Sequence, residues 1–350
     1  MKAHLDFLGL SIEVAGDVDD VVDEVRRDFS WFVTEGAPPD AAVVRMTLRK
    51  EAPPFDELPA IPAAFSTPRN YCYRDGDQSY VDYFGRGLTI HDRRASTCVL
   101  YATDHDLLHE MAYLFILSTV GQHLDRRHIH RLHALGVSYR GHGILLLLPS
   151  GGGKSTTALR LLARPGFALL AEDTPLIDGH GRILPFPLRV GVRPEHDTGI
   201  PARFLRTMSR MEFDPKTLID IEYFRDRIGT ITTPSLLLVG ERNLGDVSAL
   251  VPMPRRSALR ALVSNLVVGL GVYQGLEFLL ERSAWELLGK AGVVASRLRA
   301  SLALLRRVRT FRFVMGRDVD RNIETLAAFL DRECARAVAG TPARESRAPR

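Results

Sequence analysis

Three successive glycines followed by lysine, serine and threonine, Gly151-Gly152-Gly153-Lys154-Ser155-Thr156, are the residues of this chain best suited to hold a polyphosphate. Glycines let the backbone curl until several N–H groups converge on one anion. A lysine placed next reaches the outer phosphates, and the serine hydroxyl after it can complete a magnesium shell. Ser150, Gly151, Gly152, Gly153, Lys154, Ser155 and Thr156 are therefore the candidate nucleotide-binding residues. One helix and one strand later stands an acid pair, Glu172-Asp173, the residue types that hold a cation and accept a proton. Alone, such a pair is as readily a solvated turn. His133 ends the basic run Arg126-Arg-His-Ile-His-Arg-Leu-His133. His128 and His130, in the same run, lack a tight metal spacing and read as structural or solvated.

The elements around these residues give them a geometry. Gly143 to Leu148 is an apolar run of buried-strand length, and Ser155 to Ala163 reads as a helix whose N-terminus faces the loop. Leu148 occupies the place where a phosphate loop usually has its first glycine; preceding Pro149, it suits extended backbone. Arg164-Pro165-Gly166 breaks the chain, and Phe167 to Ala171 makes a second short strand ending in Glu172-Asp173. A right-handed strand–helix–strand crossover brings both strands into one sheet, with ligands off their carboxyl ends. The acid pair is thereby expected beside the outer phosphate.

Elsewhere, alternation predicts strands over Leu5–Val14, 42–48, 71–83, 87–91 and 97–102, and a helix over Val18–Phe29 with an acidic first turn. The segment Pro53 to Pro68 is proline-rich and expected to be irregular. Asp104 to Leu124 is a long amphipathic stretch leading into the loop-bearing unit, and Thr233 to Val239 reads as another strand. The C-terminal third patterns as helix, with arginines outward. The expected organisation is an α+β unit over 1–103, an α/β unit over 104–338 and a disordered tail over 339–350.

Composition narrows the class. The chain has 350 residues, 45% hydrophobic and 25% charged, with a net charge of +4 spread over scattered arginines, so neither nucleic acid nor membrane is an expected partner. Three separated cysteines in no metal spacing fit a reducing compartment, and the first residues show no cleavable leader; the expected location is cytoplasmic. The apolar stretch Leu262 to Leu280 is interrupted by polar residues and glycines and reads as buried helix rather than membrane span.

The stretch Leu132 to Ser155, followed by Ala171-Glu172-Asp173, resembles the catalytic domain of HPr kinase/phosphorylase and the related ATP-dependent phosphoenolpyruvate carboxykinases. These share a histidine ahead of a hairpin, the phosphate loop and an acid pair one strand later; the likeness covers roughly residues 128–245. It implies an α/β fold, a phosphate-loop mixed sheet with flanking helices, and ATP and Mg²⁺ as ligands. Carried over, Lys154 binds phosphate and Ser155 with Asp173 holds Mg²⁺. Glu172 becomes the base on an acceptor hydroxyl, its pKa raised by burial beside Asp173, and His133 sits near the transferred phosphate. Glu172 is one methylene longer than the family's aspartate, which leaves open which acid is the base. The N-terminal unit differs from the family's own, and the phosphorolysis-associated motif is missing, so HPr is not the expected acceptor. The organisation looks closer to HPr-kinase-like proteins of peptide-modification pathways, including lasso-peptide tailoring kinases.

Three classes follow: a kinase for a peptide or protein serine or threonine; a small-molecule hydroxyl kinase, for free serine or a sugar; and a non-enzymatic nucleotide-gated regulator. Arg189 and Arg193, flanking Val190 to Val192, and Lys216 are second-rank candidates for gripping phosphate or acceptor. The family precedent is compatible with a homo-oligomer, although no interface is readable.

Overall fold

The computed structural model describes residues 1–149, 151–194, 198–210, 213–267 and 284–339, and has a mixed α/β architecture. Its first part is a nine-stranded sheet: β1 (Lys2–Asp6), β2 (Leu10–Gly16), β3 (Val33–Thr34), β4 (Ala42–Arg49), β5 (Ala63–Ser66), β6 (Tyr71–Asp75), β7 (Gln78–Asp82), β8 (Gly87–Asp92) and β9 (Thr97–Ala102). The strand order is β3-β1-β2-β4-β9-β8-β7-β6-β5, with β2–β4 and β4–β9 parallel and the other pairs antiparallel. Alternation within β1 buries Ala3 and Leu5, and the same period in β9 buries Cys98, Leu100 and Ala102. Helix α1 (Asp19–Asp28) lays Val21, Val22 and Val25 on the sheet's core, and α2 (His105–Arg126) packs beside it. Asp104 caps α2 by accepting from the Leu107 N–H at 2.7 Å.

The expected strand Leu5–Val14 is instead two strands. Phe7 and Leu10 exchange backbone hydrogen bonds across a two-residue turn, Leu8-Gly9, both with positive φ. That is the twist-compatible hairpin turn, and it places Leu8 where glycine or asparagine is usual. Tyr71–Tyr83 likewise folds back at Gly76, and a strand, β5, lies inside the proline-rich segment.

The second part centres on a six-stranded sheet: β11 (Leu135–Tyr139), β12 (His142–Leu147), β13 (Phe167–Ala171), β19 (Pro234–Arg242), β20 (Ala249–Pro252) and β21 (Arg309–Met315). Its order is β13-β11-β12-β19-β21-β20, and β12, β19 and β21 run parallel. Both faces are covered. Helix α3 (Lys154–Leu162) and the helix Val319–Ala339 pack on one, while α4 (Arg255–Leu262) and the helix Ala284–Arg307 pack on the other. This double cover explains why β12 is buried and without polar side chains from Gly143 to Leu147. Two small sheets complete it: β10 (His130–Arg131), β14 (Leu176–Ile177) and β15 (Ile183–Leu184); and β16 (Val190–Val192), β17 (Leu205–Arg210) and β18 (Phe213–Ile219).

The strands flanking the loop helix share a sheet, as the crossover argument requires, but β11 lies between them. β21 is a sheet strand inside the region patterned as helix; Thr310, Phe313 and Met315 are its buried positions, interleaved with arginines that mask the period. Lys216 lies within β18. Most of Leu262–Leu280, and nearly all of the tail, fall outside the described residues. Among the described residues no helix is long and apolar enough to cross a membrane.

Candidate functional site

The loop leaves the carboxyl end of β12 and enters α3 at Gly153, whose φ of +90° provides the left-handed step that turns the first helical N–H groups inward. Gly151 takes φ +69°, and Gly152 donates its N–H to the Pro149 carbonyl at 2.8 Å. A Cβ on Gly152 would lie 2.7 Å from that carbonyl oxygen, so glycine is required there. Leu148 is buried, its methyl group packed over Gly240 of β19; a side chain on Gly240 would collide with it at 2.1 Å. The departure from the usual loop pattern is thus absorbed by a glycine on the neighbouring strand. Ser150 lies outside the described residues.

Five of the sequence candidates meet at the mouth of this loop. Lys154 Nζ lies 2.6 Å from His133 Nε2 and 3.3 Å from Asp173 Oδ1, and His133 Nδ1 is 3.5 Å from the same oxygen. Backbone pairing sets this contact. Leu132 and Ala134 donate to the carbonyls of Pro175 and Asp173, so the His133 segment runs alongside the residues after β13. Ser155, one residue into the helix, donates its hydroxyl to Glu172 Oε1 at 2.7 Å. Thr156 shares the first turn of α3, and Thr157 closes that turn by donating its N–H to the Gly153 carbonyl at 2.8 Å.

The two acids occupy different environments. Burial, with the neighbouring charge of Asp173 behind it, pushes the Glu172 carboxyl up to about 7, against the opposing pull of Ser155, Lys154 and Lys216. The Asp173 side chain is 45% exposed at the open side. Burial and the Lys154 charge lower the His133 pKa against the pull of Asp173, favouring the neutral imidazole. A neutral His133 can accept a hydrogen bond from Lys154 through Nε2. The cluster therefore offers a cation, a proton acceptor in the neutral range, and an exposed carboxylate on one side of an amide-lined turn.

The second-rank candidates separate. Lys216 faces the site: it contributes to the Glu172 field, and its stem passes Gly191, where a Cβ would stand 3.1 Å from Cδ. Arg189 turns away, ion-paired with Asp28 of α1, its guanidinium 3.9 Å over the Tyr113 ring. Arg193 is exposed beyond the end of β16. His130 is buried between Asp125 at 2.8 Å and Ser296 at 2.9 Å, and His128 shares the same serine. Arg297 takes the other oxygen of Asp125 at 2.7 Å.

Two further residues belong to the site's surroundings. Tyr113, on α2, is held up to about 12 by burial, with Asp28, Asp173 and Glu172 among the charges that raise it and Arg189 opposing them. Arg242, at the end of β19, lies 3.4 Å from the Gly152 carbonyl and overhangs the loop. Neither carries a local signal; helix periodicity gives Tyr113 only a core position, and Arg242 reads as an exposed strand end.

A magnesium ion is compatible with the oxygen donors here, since it takes few protein ligands and completes its shell with phosphate and water. Among the described residues no group of three or more His, Cys, Asp or Glu forms an all-protein metal cage. Ser155 is bonded to Glu172, so a cation using Ser155 and Asp173 requires that hydroxyl to turn. Compared with protein-family models and with curated proteins, the chain matches none.

Proposed function

We propose that this protein is a Mg-ATP-dependent kinase that transfers the γ-phosphate to a serine or threonine hydroxyl of a peptide or protein. On this reading the second part of the chain is an HPr-kinase/carboxykinase-like phosphate-loop unit acting in the cytoplasm, and the first part presents the acceptor. The observation that carries the reading is the convergence of Lys154, His133, Ser155, Glu172 and Asp173 at one glycine-rich helix N-terminus, with Glu172 held near 7. A phosphate loop alone would serve any nucleotide binder; a near-neutral carboxylate beside it serves proton abstraction.

Phosphoryl transfer asks little covalent chemistry of the protein and much positioning. The N–H groups of Gly151 to Ser155 hold the β-phosphate, and Lys154 bridges toward the γ. Mg²⁺, when bound, neutralises charge on the phosphate oxygens, and Ser155 and Asp173 would hold it. Glu172 takes the acceptor's proton as its oxygen bonds to the γ-phosphorus and the bridging bond to ADP breaks. Neutral His133 keeps Lys154 pointed at the phosphates through their 2.6 Å contact.

The test is incubation with Mg²⁺, γ-labelled ATP and a size-fractionated cell extract, with Lys154→Ala as control. Acid-stable, base-labile label on a peptide or protein, lost in the variant, is the expected result. Label on a small metabolite would replace the acceptor with a small hydroxyl compound. Label only as inorganic phosphate, or no transfer by either protein, would overturn the kinase reading in favour of a nucleotide-gated regulator.

A further inference from the structure

Away from the phosphate loop, a cavity of about 370 Å³ opens where the first β-hairpin meets the segment Leu184 to Phe186. Its volume falls in the range of small-molecule sites, which are mostly apolar with few polar groups. Three phenylalanines build one wall: Phe7 and Phe32 have ring centroids 4.6 Å apart, and Phe186 stands 5.2 Å from Phe32. Phe7 and Phe32 come from the first part of the chain and Phe186 from the second, so the cavity exists only where the two parts pack. Leu124 and Leu176 close the back.

Two features separate it from a packing defect. The first is its rim. Leu8, Val33 and Ile231 are 43%, 37% and 54% exposed, large apolar side chains from three distant segments gathered at one opening. Scattered exposed apolar residues are ordinary, but a cluster around a cavity is not. Leu8 also holds φ +56° in a turn that suits glycine or asparagine, while Arg127 and His123 bond to its carbonyl and fix the turn. A leucine there forgoes an easier turn residue in order to present its side chain.

The second feature is Asp6. It lines the same cavity, and its Oδ1 is buried with no hydrogen-bond partner. Directly across the hairpin, the Ser11 hydroxyl is also buried and unpartnered. A buried carboxylate oxygen without a donor is costly, and the cost is removed by a ligand that brings one. Aromatic faces add to the choice: Phe7, Phe32, Phe186 and Trp31 all line the space, and ring faces attract a cation.

We propose that this cavity binds a small organic cation with an aromatic or apolar body, its ammonium group directed to Asp6 and its body lying among Phe7, Phe32 and Phe186. The carboxylate rejects an anionic analogue, and the rim residues cover the body's outer face. This assignment does not rest on the kinase reading, since no group at the phosphate loop lines the cavity.

The chain contains two tryptophans, and Trp31 lines the cavity, so its emission reports occupancy. The full-length protein is titrated with phenethylamine and with the anion 3-phenylpropionate, following Trp31 emission and, in parallel, ligand-observed NMR. A saturable shift with phenethylamine, at least ~10-fold weaker with the anion, is expected. Trp31→Phe should abolish the optical signal while the NMR signal persists. Asp6→Asn should weaken phenethylamine by ~10-fold or more. No saturable signal from wild type in either measurement, or equal affinity for cation and anion, overturns the proposal. The probe comparison on wild type needs no variant, so a folding defect in Asp6→Asn cannot rescue it. Nucleotide binding measured alongside should be unchanged by phenethylamine.

Discussion

Two clusters of acids, histidine and cations sit within this molecule, and they have opposite characters. At the loop mouth Lys154 meets His133 and Asp173 beside Glu172, and Asp173 faces an open side. Between α1, α2 and the strands around β16, Asp28 is fully buried and takes Arg206 at 2.6 Å, His109 at 2.7 Å and Arg189. Arg206 also reaches Asp220 at 2.8 Å, which in turn binds Arg27. Burial alone would raise the Asp28 carboxyl, but Arg189, His109 and Arg206 overcome it and hold the group well below the ordinary carboxylate range. Glu172 is partly buried, and desolvation, with the charge of Asp173 added, outweighs the pull of Ser155, Lys154 and Lys216, so its pKa rises to about 7. Burial pushes both carboxyls up; the cations around Asp28 overcome it, while those near Glu172 do not. The Asp28 cluster joins the first part of the chain to the second; the Glu172 cluster holds a carboxyl raised to about 7.

The largest effect that would sharpen this contrast is on phosphoryl transfer. Glu172→Gln should reduce turnover by ~10²- to 10⁴-fold with nucleotide binding retained, measured by label transfer and by nucleotide titration. In wild type the rate should rise with pH around 7 as Glu172 ionises. A flat pH profile, or full activity in the glutamine variant, would break the assignment and shift the base to Asp173.

Stability separates the clusters next. Asp28→Ala leaves two arginines facing one another in a buried site and should cost about 3–5 kcal/mol, read by chemical denaturation. Glu172→Gln should behave in the opposite sense. The folded-state pKa of Glu172 is raised above its ordinary 4.5, so its contribution to stability is present below that value and lost as pH rises through about 7. Wild type should therefore lose stability relative to Glu172→Gln across that window. If Asp28→Ala unfolds no more easily than wild type, the two clusters are not different in kind.

The smallest effect concerns Arg242. It is exposed and meets the Gly152 carbonyl at 3.4 Å, so Arg242→Ala should change nucleotide affinity by only about 1 kcal/mol, with turnover at saturation unchanged. A loss as large as that of Lys154→Ala would mean that the loop's binding power extends to β19.

Much of the site was legible because it is local. Gly151 to Ser155 carries its own backbone requirement, and the flanking apolar runs declare a strand and a helix without reference to anything distant. Glu172 and Asp173 follow from the crossover, a rule about connection rather than contact. His133 was legible only through the resemblance; what brings it to Lys154 is the backbone pairing of Leu132 and Ala134 with the segment after β13. Strand β21 stayed hidden because its register depends on β19, and its arginines break the pattern that a solvent-facing strand would show.

The residues by themselves determined the glycine-rich loop, the helix that follows it and the presence of an acid pair one strand on, since each is set by short-range backbone preference and periodicity. Only the tertiary structure decided what each charge would do. Asp28 and Arg189 lie 161 residues apart and meet through folding alone. Glu172 receives the Ser155 hydroxyl while Asp173 receives Lys154. The physical reason is that ionisation depends on burial and on the count of nearby charges, and both are properties of packing, which no short stretch of chain contains.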